Sequence, residues 1–377
     1  MRIALLTDGI YPYVLGGMQK HSYYLVKYLA KNEVVIDLYH TAFQNPGELT
    51  CFSEDERRYI NSIFIPYPKR FKFPGHYLLE QISYSNLIFE KLILNSNIDF
   101  IYAQGFTGLS VVRRKDKIKA PIGVNFHGLE MFQYSVDFIS KLKSYLFKFH
   151  ASYILKKSDF VFSLGKKVTD IIKRLKVSSE KIYEMPIGIG EDWVSGLNLI
   201  DNNRPLTFLF VGRYERRKGL EELNKAIIGF SAENIEFLIV GDIPIDKRVS
   251  VCNVKYLGKI SDQAELKKVY SISDVLICPS HAEGMPTVIL EAMASGLAII
   301  ATDVGAVAEL VSSENGILLE SSNEILLKRA IYDFMALENT FLNQLKQNSI
   351  DKVKSRFLWE TIITNLIRKM DYEGKII

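Results

Sequence analysis

The sequence predicts an α/β protein of two doubly wound parallel-sheet domains, and three observations carry that prediction. Near-continuous apolar runs of strand length alternate with helical patterns along the chain, as strands buried on both faces of a parallel sheet do. The runs form two sets. The first is Ile3 to Thr7, Val34 to His40, Ile98 to Ala103, Ile122 to Phe126 and Asp159 to Leu164; the second is Thr207 to Val211, Glu236 to Val240, Val275 to Cys278 and Ala298 to Ala301. Finally, 377 residues are more than one ordinary domain of about 100 to 200 residues uses.

The loop chemistry of Pro186-Ile187-Gly188-Ile189-Gly190, the polar stretch ending Asn202-Asn203-Arg204-Pro205 and the strand restart after it mark a hinge. The expected domains are therefore 1–190 and 191–356, with an amphipathic C-terminal helix over 357–377 packing back across the hinge. Apolar residues at 48% and charged residues at 24% exclude a disordered or fibrous chain. No apolar stretch reaches the ~18 residues of a membrane span, and Asp8 comes too early for a secretory segment. The chain reads as cytoplasmic. Cys51, Cys252 and Cys278 are odd in number and far apart, so they read as buried small hydrophobes in a reducing compartment, with no zinc site.

A net charge of +4 is too small to argue for nucleic acid, but it is unevenly placed. Residues 1–200 hold 26 Lys and Arg against 19 Asp and Glu, a balance of +7, and the remainder is at −3. Tyr67 to Phe73, Arg113 to Lys119 and Phe138 to Lys157 interleave cations with aromatic or aliphatic residues. That pattern suits an anionic membrane surface, contacted peripherally through the basic first half, and it equally suits solvated helix faces.

Ligands of doubly wound sheets bind at the carboxyl ends of strands, so the chemistry is sought there. Gly16 and Gly17 follow the first strand and precede a helix starting near Met18; they let backbone amides approach a phosphate or hydroxyl, or form a tight turn needing positive φ. No G-x-G-x-x-G is present, which disfavours a nicotinamide cofactor, and no cofactor is expected. His127, before Gly128 at a strand end, offers a hydrogen bond or a backbone carbonyl to a developing positive centre, or is a satisfied semi-buried core histidine. Gly212-Arg213 and Lys218-Gly219 flank a cationic loop suited to clamping a diphosphate. In the segment from Cys278 to Gly296, Pro286 reads as the first residue of a helix whose N-terminus faces the cleft. Loop Glu283 suits sugar hydroxyls, and Glu291, more than a turn inside the helix, suits the two hydroxyls of a ribose.

Glu283 and Glu291 with seven residues between them, Gly212-Arg213 with Lys218-Gly219, Gly16-Gly17, His127-Gly128 and Thr302-Asp303-Val304-Gly305 together resemble the retaining glycosyltransferases of family 4 (glycosyltransferase group 1). The resemblance spans nearly the whole chain and is strongest over 207–316. It implies the GT-B fold, two Rossmann-like domains facing a cleft: an N-terminal acceptor domain and a C-terminal nucleotide-sugar domain. It implies that Arg213 and Lys218 hold the donor diphosphate, Glu291 the ribose and Glu283 the transferred sugar, with Gly284, Met285, Pro286 and Thr287 completing the donor loop. His127 would lie near the anomeric centre, and Gly16 and Gly17 near phosphate or acceptor. Gly284-Met285-Pro286 departs from the Gly-Phe-Gly common in the family, replacing one amide donor, and Ala306, Ile187 and Gly190 also depart.

The implied reaction moves a sugar from a nucleoside diphosphate, UDP on family grounds, to a hydroxyl of a glycan acceptor of lipid-linked, lipopolysaccharide or capsule type, with retention. No Asp-x-Asp motif is present, so the sequence requires no metal. The alternatives are a nucleotide-sugar 2-epimerase or phosphorolytic enzyme, and a non-catalytic subunit partnering a transferase.

Overall fold

The protein is described by a computed structural model over residues 1–69, 76–95, 97–133, 138–200 and 203–374, side chains of 138–144 and 372–374 excepted. Arg70 to Phe73 of the first cationic stretch, the Lys141 and Lys143 side chains and Asn202 lie outside the described residues. The chain divides into two compact units, Met1–Ile187 with Trp359–Ile377, and Gly188–Leu358.

The first unit holds β1 (Arg2–Leu6), α1 (Gly17–Lys31), β2 (Val35–His40), α2 (Glu54–Arg57), β3 (Ile60–Phe64), α3 (His76–Leu92), β4 (Phe100–Gln104), α4 (Leu109–Arg113), β5 (Ile122–Asn125), α5 (Phe138–Lys157), β6 (Phe160–Ser163), α6 (Lys166–Arg174) and β7 (Ile182–Glu184). The second holds β8 (Leu206–Val211), α7 (Leu220–Ile227), β9 (Ile235–Val240), β10 (Val254–Gly258), α8 (Gln263–Ser271), β11 (Val275–Cys278), α9 (Thr287–Ala294), β12 (Ala298–Thr302), α10 (Val307–Leu310), β13 (Gly316–Leu319), α11 (Glu324–Met335) and α12 (Asn339–Arg356). The last helix, α13 (Trp359–Gly374), belongs to the first unit.

The strands order as β3-β2-β1-β4-β5-β6-β7 and β10-β9-β8-β11-β12-β13. Every pair is parallel, and the order reverses beside β1 in one sheet and β8 in the other, the position where such folds open a ligand crevice. In the second unit Phe208, Phe237, Ile277 and Ile300 pack in the core against Leu223, Ile227, Leu327 and Ile331. The strands carry apolar residues on both faces because helices cover both. In the first unit α13 lies on α1, where Trp359 stacks on Tyr24 and Tyr28.

Two sequence expectations are corrected. Cys252 is exposed and Cys51 half-buried; only Cys278, at the end of central β11, is enclosed. Cys252 follows no apolar run but sits in the loop before edge strand β10, where its thiol reaches the Ser231 carbonyl at 3.3 Å. The helix expected to start at Pro286 starts at Thr287, with Pro286 as its cap in extended backbone.

Candidate active site

In the second unit β8 runs into Gly212 and then a short turn, Arg216–Lys218, that ends where Gly219 adopts φ +70° and starts α7. Glycine is required twice over at 219, because a Cβ there would sit 1.8 Å from the Pro279 carbonyl oxygen. This close approach lays the cationic turn against the loop after β11. The Arg217 carbonyl accepts from the His281 amide at 2.7 Å, a backbone tie that fixes the two loops in register. Gly305, at φ +54°, presses on the same loop from the other side, with room for no Cβ beside the Glu283 carbonyl.

Glu283 is the buried hub of this loop pair. Lys218 Nζ donates to Oε1 at 2.6 Å, Ser280 Oγ donates to the same oxygen at 2.8 Å, and Arg217 Nη1 reaches Oε2 at 3.3 Å. The carboxylate and its cations thus arrive together at the carboxyl ends of β8 and β11. Its charge, secondary to burial, helps push the Cys278 thiol up to about 11, which keeps that sulfur protonated and unreactive. Arg216 is directed elsewhere, bonding Glu222 at 2.9 and 2.6 Å and meeting His281 Nε2 at 3.0 Å.

The two cations expected as one clamp have different partners. Lys218 is 17% exposed and engaged with Glu283, whereas Arg213 is 78% exposed and pairs with Glu215 at 3.0 Å. Glu291 is buried in α9 and Glu283 lies in the loop ahead of it, so neither is a solvated surface acid. Gly284, Met285 and Pro286 are buried and Thr287 is half-buried; the Gly284 carbonyl accepts from the Ala306 amide at 2.7 Å. Sequence reasoning passed over Arg217, Ser280 and Tyr270. Ser280 stands three residues before Glu283, a signal that was available, but Tyr270 reaches Glu291 only through the fold.

In the first unit Gly16 caps α1 in extended backbone and Gly17 opens it. A Cβ on Gly16 would strike only the Gln19 side chain and one on Gly17 would meet nothing, so a turn needing positive φ is not their role. His127 lies two residues beyond β5 at φ +54°, its amide donating to Asn125 Oδ1 at 2.8 Å. The residue is half-buried with both ring nitrogens shielded but not satisfied: neither has a hydrogen-bond partner among the described residues, and the same holds for fully buried His21. The rings meet edge to face at 4.4 Å, and Trp359 lies 5.1 Å beyond His21. Burial pulls His127 down to about 4 and His21 well below its ordinary value, so both imidazoles are neutral at pH 7. Asp8, just past β1 and read in the sequence only as an early charge, accepts from Gln19 Nε2 at 2.9 Å, and burial raises its carboxyl to about 6.

On α5 the Tyr145 and Phe149 rings are 75% and 71% exposed, with Leu146 between them and Lys156 and Lys157 exposed at the helix end. Among the described residues no helix is long and apolar enough to cross a membrane.

Residues 15–193 match the family model Glycosyltransferase Family 4, and residues 205–336 match Glycosyl transferases group 1. The chain is 27% identical to an uncharacterized glycosyltransferase, MJ1178, of Methanocaldococcus jannaschii over 97% of both chains. It is 25% identical to the capsular polysaccharide biosynthesis glycosyltransferase CapM of Staphylococcus aureus over 41% of this chain and 43% of that one. Among solved structures, Anabaena Alr3699/HepE in complex with UDP-glucose superposes with a TM-score of 0.70 at 15% identity, covering 99% of this chain and 100% of that one, a likeness of fold.

Proposed function

Because the chain belongs to the glycosyltransferases of family 4 and group 1, with the GT-B fold, we propose that it transfers a sugar from a UDP-sugar to a hydroxyl of a lipid-linked or capsule-type glycan, with retention of configuration and without a metal. The observation that carries this reading is the convergence of Lys218, Arg217 and Ser280 on buried Glu283 at the carboxyl ends of β8 and β11. Such a site holds opposite charges close together and out of water, so a donor's diphosphate and sugar find an ammonium and a carboxylate already fixed in place.

Arg213 and Lys218 take the diphosphate, and Lys218 exchanges part of its contact with Glu283 for a phosphate oxygen as the donor enters. Glu283, relieved of that share of charge, accepts hydrogen bonds from the sugar hydroxyls, while the loop Gly284 to Thr287 borders the sugar. Negative charge grows on the departing diphosphate and the sugar becomes oxocarbenium-like; fixed cations stabilise that state more than the ground state. A phosphate oxygen receives the proton of the acceptor hydroxyl, so the protein needs no side-chain base for that step. The first unit serves the acceptor: Gly16 and Gly17 present the open N-terminus of α1, and neutral His127 offers a ring nitrogen or its backbone carbonyl near the anomeric carbon. UDP-glucose bound by the Anabaena protein of the same fold supports the uridine donor, and the capsular relative supports a glycan acceptor.

A thermal-shift screen of nucleotide sugars tests the reading. A donor at 100 times its Kd adds about 2.7 kcal/mol of stability, enough to raise Tm by a few degrees. A UDP-sugar is expected to give that shift and, with a glycan acceptor, a product whose anomeric coupling matches the donor's. A product of opposite configuration, or turnover of donor to an epimer without acceptor, would overturn it.

A further inference from the structure

Tyr270 lies fully buried on α8, and its hydroxyl donates to Glu291 Oε2 at 2.9 Å. Glu291 is itself buried, in the middle of α9, so this bond joins two helices through an acid and a phenol with little water near either. Burial, and then the neighbouring Glu291 charge, hold the phenol's pKa well above its ordinary value. The hydroxyl therefore stays a donor at every working pH.

Tyr270 is also fixed from behind. Trp193 meets it edge to face at 5.9 Å, Lys267 Nζ lies 5.0 Å over the Trp193 ring, and the same ammonium donates to Asp192 Oδ2 at 2.8 Å. A carboxylate with one oxygen tied to a donor that cannot move has lost its freedom to rotate. An acceptor so restrained presents its other lone pairs in one direction, the preorganisation that recognition of a pair of vicinal hydroxyls needs.

We propose that Tyr270 is a positioning residue that orients Glu291 toward the 2′- and 3′-hydroxyls of the donor nucleotide, and thereby sets the enzyme's preference for ribose over 2′-deoxyribose. This rests on the assignment of Glu291 to the ribose made above. Loss of the phenolic hydroxyl leaves Glu291 in place with one restraint fewer, so the ribose contact weakens while base and phosphate contacts stay.

Calorimetric titration of the full chain with the four common nucleoside diphosphates and their 2′-deoxy forms tests this. The wild type is expected to bind the ribose form of its nucleotide about tenfold or more tightly than the deoxy form, as a lost hydrogen bond to a charged acceptor implies. Tyr270→Phe is expected to lower that ratio several-fold by weakening only the ribose form, and Tyr270→Phe/Glu291→Gln to add nothing to Glu291→Gln alone. A merely structural tyrosine would shift Tm or weaken both forms alike. If Glu291→Gln abolishes the preference while Tyr270→Phe keeps it, the positioning role falls and the ribose assignment stands. If the wild type shows no preference, or binds none of these nucleotides, the ribose assignment falls and the proposal with it.

Discussion

Lys218 and Arg213 carry like charge five residues apart, yet their surroundings give them different consequences when removed. Lys218 neutralises a buried carboxylate at 2.6 Å. Lys218→Ala is expected to lower turnover by about 10² to 10³, the loss seen when one preorganised donor is taken from a transition state. It should also lower Tm, because a buried acid then loses its nearest cation and is left with less compensation. Arg213→Ala should lower turnover comparably and leave Tm unchanged, since a surface pair such as Arg213 with Glu215 contributes about 0 to 1 kcal/mol. Steady-state rates and melting curves of the two variants check this. Wild-type turnover in Lys218→Ala would remove the residue from the donor site. Lys218, Glu283 and Glu291 could be picked out of the sequence because strand ends and helix starts are local signals. Arg217 was only one of four neighbouring cations, and nothing in the spacing showed that its side chain turns toward Glu283 while that of Arg216 turns toward Glu222. Tyr270 lies 21 residues from Glu291, and only the packing of α8 beside α9 joins them.

Among elements, the strands that sequence reading found and those it missed divide along one physical line. The nine apolar runs correspond to β1, β2, β4, β5, β6, β8, β9, β11 and β12, all interior strands covered on both faces. The missed ones, β3, β7, β10 and β13, are the four sheet edges. β3 reads Ile-Asn-Ser-Ile-Phe and β10 Val-Lys-Tyr-Leu-Gly, sequences half open to water that carry the polar residues edges need to avoid pairing with other chains. A continuous apolar run is a mark of the sheet interior, so it cannot reveal an edge. Helix α5 breaks the opposite rule: it keeps Tyr145, Leu146 and Phe149 in water on an element whose ordinary business is to bury such residues. About two turns further along the helix stand Lys156 and Lys157, and the same unit is the basic one. An anionic bilayer matches that chemistry, aromatic side chains entering the headgroup region and each cation near the surface adding about 1 kcal/mol. The wild type should co-sediment with vesicles of anionic phospholipid and not with neutral ones, and Tyr145→Ser/Phe149→Ser should lose most of that binding without change in Tm. Equal sedimentation of wild type and double variant would refute a membrane role for α5.

At the scale of the whole molecule, the two units are expected to respond differently to acid, because the buried imidazoles with lowered pKa all lie in the first. His40 is fully enclosed beside Ser62, and burial lowers it to about 4, as it does His127; His21 is lower still. A group whose folded pKa is depressed binds fewer protons in the native state than in the unfolded chain, so each of these histidines removes stability as pH falls from 6.5 toward 4. For His40 and His127 that is about 3 kcal/mol each by pH 4, because every pH unit between the unfolded and folded pKa is worth about 1.4 kcal/mol. Asp8, raised to about 6, works in the other direction: its native state binds the extra proton, so it adds roughly 3 kcal/mol as pH falls from 6 to 4. Three depressed histidines outweigh one raised acid, and the first unit should lose stability steeply below pH 6. In the second unit burial works to raise the Glu222 carboxyl, but the bonds from Arg216 and His281 together hold it below the usual carboxylate range, so its contribution is lost only at lower pH. Scanning calorimetry between pH 7 and 4.5 should therefore show one transition falling ahead of the other, and His40→Gln should flatten the falling one. A profile in which both transitions hold their pH 7 temperatures down to pH 5 would contradict the neutral burial of these rings, and with it the neutral His127 invoked in the proposed acceptor-side chemistry.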